Sequence, residues 1–331
     1  MQKKNINFLK IEDHFCEIAQ IPVITVFENR LPETPRFTFA IPTFKRVETL
    51  RETLESVFNQ DIAEPYEIIV SDNNPERDDE TEKLMDEYAD LPNLTYVKNS
   101  QNLGMAGNWN RLALLTRGEY MVLLHDDDCV APFFLSSASA LLEQHPDADL
   151  LQFSKIHEHK FEFQPENLHT FRIRLYDNIG KNIIKAPSGT VYRTGSIIKL
   201  GGWNPEFYPS QDYCFDCLLL NHGYKAYKTP LRATFYRFGV NLSLKKETQV
   251  GFIQVDTALH NALLHKIGIP SFIRNAYLEF RNEIDIEKSH LTPGDIWPLE
   301  VGRYSHKSKL ISLYMTSRYI HFLSRLTHLF D

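Results

Sequence analysis

The sequence is poor in cysteine. Cys16, Cys129, Cys214 and Cys217 are the only four in 331 residues, too few for a disulfide scaffold, which points to a reducing compartment. Cys214 and Cys217 form a C-x-x-C pair. Without a second pair or a thioredoxin-like context, they read as two small buried residues on one helix face. Positive charge is not in excess either. The formal net charge is −7, which argues against nucleic acid as the main partner, since that partnership leaves a basic footprint. No run approaches the roughly 20 apolar residues of a bilayer-spanning helix. The opening MQKKNINFLKIEDHF has no apolar core of a secretory leader. The expected setting is therefore cytoplasmic, either soluble or peripheral on the inner face of the cell membrane. Internal repeats and low-complexity segments are absent. With 43% hydrophobic and 24% charged residues, the chain has the balance of an ordinary globular protein.

What is present is an alternation. FTFAIPTF (37–44) reads as a buried strand. VETLRETLESVFNQ (47–60) carries Val47, Leu50, Leu54, Val57 and Phe58 at helical spacing. YEIIVSDNN is a second strand, DDETEKLMDEYA a second helix with acids in its first turn, and NLTYVKN a third strand. AGNWNRLALLTR is a third helix. EYMVLLHDDD is a fourth strand, apolar until its carboxyl end. Strand–helix alternation over about 90 residues predicts an α/β unit with a mostly parallel sheet. Further along, FFLSSASALLEQH predicts a helix and DADLLQFSKIHEH a strand. An irregular insert runs to about 185, QDYCFDCLLLNHG is a helix, ATFYRFG a late strand, and helices follow from about 248. Residues 1–36 read as an N-terminal extension without chemistry, with a short strand at Val23–Phe27.

Parallel sheets of this kind hold ligands at the carboxyl ends of their strands, and polar residues collect there. His125-Asp126-Asp127-Asp128 is the strongest signal. Three adjacent carboxylates repel unless a cation or solvent compensates, and a hard divalent ion that bridges to phosphate would do so. Asp72-Asn73 ends the second strand, where an acid can accept from a nucleobase or ribose; an Asx turn explains it equally. Asn102, Gly104 and Asn108 mark a glycine segment permitting close backbone approach to a ligand. Arg111, one turn beyond Gly107, faces either a diphosphate or solvent. Asp212, at the start of a helix, is either a cap or a general base.

Together these segments resemble glycosyltransferase family 2, whose members have the GT-A fold. The resemblance covers roughly Phe37 to Ser243 and rests on five segments in order: FAIPTFKR, EIIVSDNN, NLGMAGNWNRL, YMVLLHDDD and GGWNPEFYPSQDYCFDCLLLNHG. It implies a catalytic domain over 37–245, with a nucleotide-sugar half (37–130) and an acceptor half (131–245), followed by a helical region (246–331). It implies a donor, usually a UDP-sugar, held by Pro42, Thr43, Arg46, Asp72, Asn73, Asn102, Gly104, Asn108, Arg111, Asp126 and Asp127. It further implies Mn²⁺ or Mg²⁺ on Asp127 and Asp128, Asp212 as the base of an inverting displacement, and Arg237 near the phosphates. Two departures stand out. His125 replaces a frequent acid, and Gln211-Asp212 replaces Glu-Asp. The Q-x-x-R-W motif of processive synthases and their membrane helices are absent, which points to transfer of a single sugar.

The C-terminal stretch Lys307–Phe330 predicts a helix with Arg318, His321, Arg325 and His328 on one face. Met315, Tyr319, Phe322, Leu326 and Phe330 fall broadly opposite. Such a helix suits an anionic membrane interface and a lipid-linked saccharide acceptor; packing on the core or a homodimer contact are the other readings. Two other functions are compatible with such a sheet and its acids. A nucleotidyltransferase typically carries a glycine-rich loop after its first strand, and IPTFKRVETL has no glycine. A sugar-nucleotide-binding protein without catalysis is disfavoured by Asp212 and the intact acid run.

Overall fold

The computed structural model describes residues 7–238, 245–289, 291 and 304–328. Ten strands form one sheet: β1 (Val23–Glu28), β2 (Phe37–Thr43), β3 (Tyr66–Asp72), β4 (Leu94–Asn99), β5 (Tyr120–Leu123), β6 (Cys129–Val130), β7 (Leu150–Ile156), β8 (Phe171–Ile173), β9 (Thr190–Arg193) and β10 (Ala226–Phe235). The spatial order is β1-β4-β3-β2-β5-β9-β7-β10-β6, with β8 also paired to β10. Strands β2, β3, β4, β5, β7 and β10 run in one direction. β9 lies antiparallel between β5 and β7, and β1, β6 and β8 are antiparallel at the margins. The mostly parallel α/β sheet read from the sequence is thus present, with one reversed strand in its middle.

Helices cover both faces: α1 (Phe15–Gln20), α2 (Val47–Phe58), α3 (Glu80–Asp86), α4 (Gly104–Leu115), α5 (Phe134–Gln144), α6 (Leu175–Asn178), α7 (Thr194–Lys199) and α8 (Gln211–Asn221). The strands are buried from both sides, so they read as continuous apolar runs rather than alternating ones. Leu50, Leu54, Val57, Leu84, Met85, Phe134 and Leu141 pack with one face of the sheet. Trp109, Leu112, Ile197, Trp203, Phe215 and Leu259 pack with the other. Cys214 and Cys217 are buried and unbridged, as two small core residues.

Register sets the site. Thr43 pairs with Asp72, and Asp72 with Lys98, so three strands end level. After β5 the chain leaves the sheet, and the acid run connects its middle to β6 at the far margin, where Val130 pairs with Thr234. Residues before Phe37, set apart as an extension in the sequence, are built into the same body. β1 pairs along β4, and the carbonyls of Ile18 and Ile21 accept from Arg111 Nη2 at 2.9 and 2.5 Å.

Among the described residues, three longer helices follow: α9 (Lys246–Lys266), α10 (Ser271–Lys288) and α11 (His306–His328). α11 packs on α10 and α6 with Leu313 and Ile320 partly buried against the core. Its fully buried side chains are Lys309, Ser312 and Thr316, while Ile311, Tyr314, Met315, Tyr319, Phe322 and Leu326 are exposed. The expectation of a basic face opposite an apolar one is corrected: Arg318, His321 and Arg325 are exposed as well, and by helical angle they fall within the apolar arc. Lys309 is drawn inward by Glu279 and Glu283, which explains why an ammonium faces the body. The side chain of His328 and all of Phe330 lie outside the described residues. Among the described residues, no helix is long and apolar enough to cross a membrane.

Candidate active site

A cleft of about 590 Å³ opens at the carboxyl ends of β2, β3 and β5. Pro42, Thr43, Arg46, Asn73, Asn102, Gly104, Asn108, Asp126, Asp127 and Asp212 all line it. The polar strand ends singled out in the sequence are therefore brought together. Gly104 has φ +70°, a left-handed value that glycine adopts without strain. It opens α4 at the cleft, and its carbonyl accepts from Asn73 Nδ2 at 3.0 Å. Asn108 is locked beneath by Ser71, which donates to its side-chain oxygen at 2.6 Å.

The acid run is split in two by its neighbours. Asp126 accepts from Thr43 Oγ1 at 2.8 Å and Arg46 Nη1 at 3.3 Å. Arg46 Nη1 also donates to Asp127 at 2.6 Å. Burial pushes the Asp126 carboxyl up to about 7 and that of Asp128 up to about 6. Asp127, Asp128 and His125 form a separate group whose donor atoms all lie within 4.8 Å of one another. Asp128 Oδ2 and His125 Nε2 are buried without a hydrogen-bond partner among the described residues. Burial lowers the His125 pKa to about 4, so the ring is neutral near pH 7 and offers a lone pair. It stacks on Trp109 with centroids 5.6 Å apart. Two carboxylates and a neutral imidazole, with two orphaned buried atoms among them, fit a divalent cation.

Asp212 stands across the cleft in the first turn of α8. Burial pushes its carboxyl up to about 6, against the pull of the helix-start N–H groups and the Lys155 ammonium. Lys155, on β7, is held by the Ala186 carbonyl. Burial brings its ammonium down to about 8, while Asp128 and Asp212 both oppose that fall. This cation, coupled to both the acid run and Asp212, has no signature in the sequence, because KIHEH carries no motif. Phe252 and Thr248, contributed to the cleft by α9, are likewise invisible at a distance of about 40 residues along the chain from Asp212.

Four residues expected at the ligand are not among those lining the cleft: Asp128, which is grouped with His125 and Asp127, and Asp72, Arg111 and Arg237. Asp72 is fully buried and already bonded, to Lys98 Nζ and Tyr96 Oη at 3.0 Å each and to the Asn74 N–H at 2.8 Å. It fixes the strand end, and Asn73 beside it faces the cleft. Arg111 is consumed by Asn99 and the α1 carbonyls, which corrects its reading as a diphosphate contact. Arg237 reaches Asp127 O at 3.0 Å and Glu52, and its N–H donates to Asp128 Oδ1 at 2.9 Å. It holds the acid run through these contacts and is not among the residues lining the cleft.

Comparison with known proteins agrees with this fold. The family described as glycosyl transferase family 2 matches residues 38–201. An uncharacterized glycosyltransferase of Methanocaldococcus jannaschii is 28% identical over 201 residues, covering 58% of this chain and 67% of its own. Among solved structures, S. aureus TarS 1–349 in complex with UDP-GlcNAc aligns with a TM-score of 0.56 at 19% identity, over 85% of this chain and 80% of that one. The mannosyltransferase PcManGT from Pyrobaculum calidifontis, in complex with GDP-Man and Mn²⁺, aligns with a TM-score of 0.54 at 18% identity, over 83% and 78%. At these identities the structural likeness is one of fold. The chain belongs to glycosyl transferase family 2 and is a glycosyltransferase with a GT-A-like fold and added C-terminal helices.

Proposed function

We propose that the protein transfers a single sugar from a nucleoside-diphosphate sugar, a UDP-sugar by preference, to the hydroxyl of a saccharide or lipid-linked saccharide, inverting the anomeric carbon. The observation that carries this is Asp212 facing the acid run across one cleft, with two buried donor atoms there lacking partners. Pro42, Thr43, Asn73 and Asn102 line the side where the strands end and would hold the base and ribose. The acceptor hydroxyl gives its proton to Asp212 as its oxygen bonds to the anomeric carbon. The bond from that carbon to the diphosphate oxygen breaks, and the electron pair leaves with the nucleoside diphosphate. Lys155 stabilises the ionised form of Asp212 before the proton arrives. His125, Asp127 and Asp128 would hold a divalent ion, which supplies Lewis-acid stabilisation to the departing diphosphate. An imidazole in the set favours Mn²⁺ over Mg²⁺, which prefers oxygen donors alone. GDP-Man and Mn²⁺ in PcManGT and UDP-GlcNAc in TarS support a nucleotide-sugar donor.

The α11 surface supports peripheral attachment to an anionic membrane. The helix carries the exposed bases Lys307, Arg318 and Arg325, and no Asp or Glu, in a chain of net charge −7. Its exposed aromatics and bases match an interfacial helix.

Asp212→Asn tests the assignment. Removing a general base lowers turnover by about 10²–10⁴-fold, and the variant keeps wild-type affinity for UDP in calorimetry. Unchanged transfer by the variant would remove Asp212 from the chemistry.

A further inference from the structure

Four contacts in register fasten α9 to the segment that carries Asp212. Tyr208 Oη lies 3.4 Å from Thr248 Oγ1. Gly251 lies against Pro209, where an added Cβ would stand 2.7 Å from the proline Cδ. Ser210 Oγ donates to Asp256 Oδ1 at 2.6 Å, and Tyr213 Oη is 3.1 Å from His260 Nε2. Positions 248, 252, 256 and 260 recur every fourth residue and so share one face of the helix. Phe252, on that face, lines the cleft. Tyr208 lines it too and is 46% exposed.

Gln211 completes this wall. It is 1% exposed and lines the cleft next to Asp212, yet its side-chain oxygen has no hydrogen-bond partner among the described residues. A buried amide oxygen kept in that state is costly unless a ligand donor meets it.

We propose that this wall is a saccharide subsite for the acceptor. The apolar C–H face of a sugar ring rests on Phe252 and Tyr208, one hydroxyl donates to Gln211 Oε1, and a neighbouring hydroxyl faces Asp212. Aromatic surface with a few placed polar groups is how a cleft fixes the orientation of a small polar ligand. A wholly apolar occupant would leave the Gln211 oxygen unmet. Every residue of the subsite lies between 208 and 252, after the 38–201 span that the family description matches. The proposal rests on the reading of Asp212 as the base.

The test is saturation-transfer NMR on the full chain with UDP and Mn²⁺ present, using methyl glycosides of glucose, galactose, mannose and N-acetylglucosamine as probes. At least one glycoside binds the wild type. Phe252→Ala weakens it about tenfold, Phe252→Tyr restores it, and UDP affinity stays constant throughout. Gln211→Leu, which leaves the aromatic wall intact, also weakens the glycoside and serves if Phe252→Ala does not fold. Glycoside binding that is indifferent to both substitutions overturns the subsite, as does a wild type that holds UDP but none of the glycosides. A wild type that holds no UDP overturns the glycosyl-transfer reading beneath it.

Discussion

The two sides of the cleft are built by different means. On the side formed by β2, β3 and β5, each lining residue follows directly from a buried strand. Thr43 and Asn73 sit at the ends of runs whose side chains are almost all buried, and in-register pairing of Thr43 with Asp72 leaves those ends level. On the Asp212 side, the wall is assembled from the loop at Tyr208–Ser210, the start of α8 and one face of α9. The first side depends on strand register and buried charge. The second depends on a helix docking from about 40 residues further along the chain. Under the proposed reading, with the donor on the sheet side and the acceptor on the docked helix, one side could change without the other.

Removing the charge beneath the donor side has the largest expected effect on stability. Lys98 is fully buried between Asp72 and Asp79, at 3.0 Å from each. Lys98→Met leaves two carboxylates uncompensated and should cost about 3–5 kcal/mol, read as a shift of the urea midpoint. A substitution tolerated without that shift would mean the donor side is not held by this charge cluster. The Asp212 side is sharpened by pH. A base whose carboxyl is raised to about 6 is ionised above that value and protonated below it. The kcat/KM of transfer should therefore level off above about pH 7 and approach a tenfold fall per pH unit well below about pH 6. Asp212→Asn should abolish that limb, and a limb that survives in the variant belongs to another group. A smaller effect is expected at the outer helix. Tyr314→Ser with Phe322→Ser should reduce sedimentation with phosphatidylserine vesicles several-fold, each exposed ring contributing in proportion to its buried area. Transfer to a water-soluble acceptor should not change. Equal vesicle binding by wild type and variant would remove the membrane role of α11.

The same contrast decides what could be read in advance. The α/β alternation, the strand ends and the acid run are local patterns, and the fold and most of the strand-end residues that line the cleft follow from them. Failures arose where a side chain's partner is distant. Arg111 is a motif-adjacent base whose actual partners are carbonyls at 18 and 21. Asp72 ends a strand as expected, but a lysine two strand positions short of the next turn, Lys98, claims it. His125 was visible only as a departure from the family's acid, and its place beside Asp127 and Asp128 needed coordinates. Lys155, Thr248 and Phe252 carried no local signal. The burial pattern of α11 was equally hidden, because amphipathic spacing shows that a helix has two faces without showing which one turns inward.

The most direct measurement is calorimetric titration of UDP into the protein with and without Mn²⁺, repeated on the paired substitution Asp127→Ala with Asp128→Ala. The account predicts binding that strengthens with the metal and loses that dependence in the variant, with chelation by EDTA reproducing the loss in the wild type. Failure of UDP, GDP and thymidine diphosphate to bind in either metal state would contradict it.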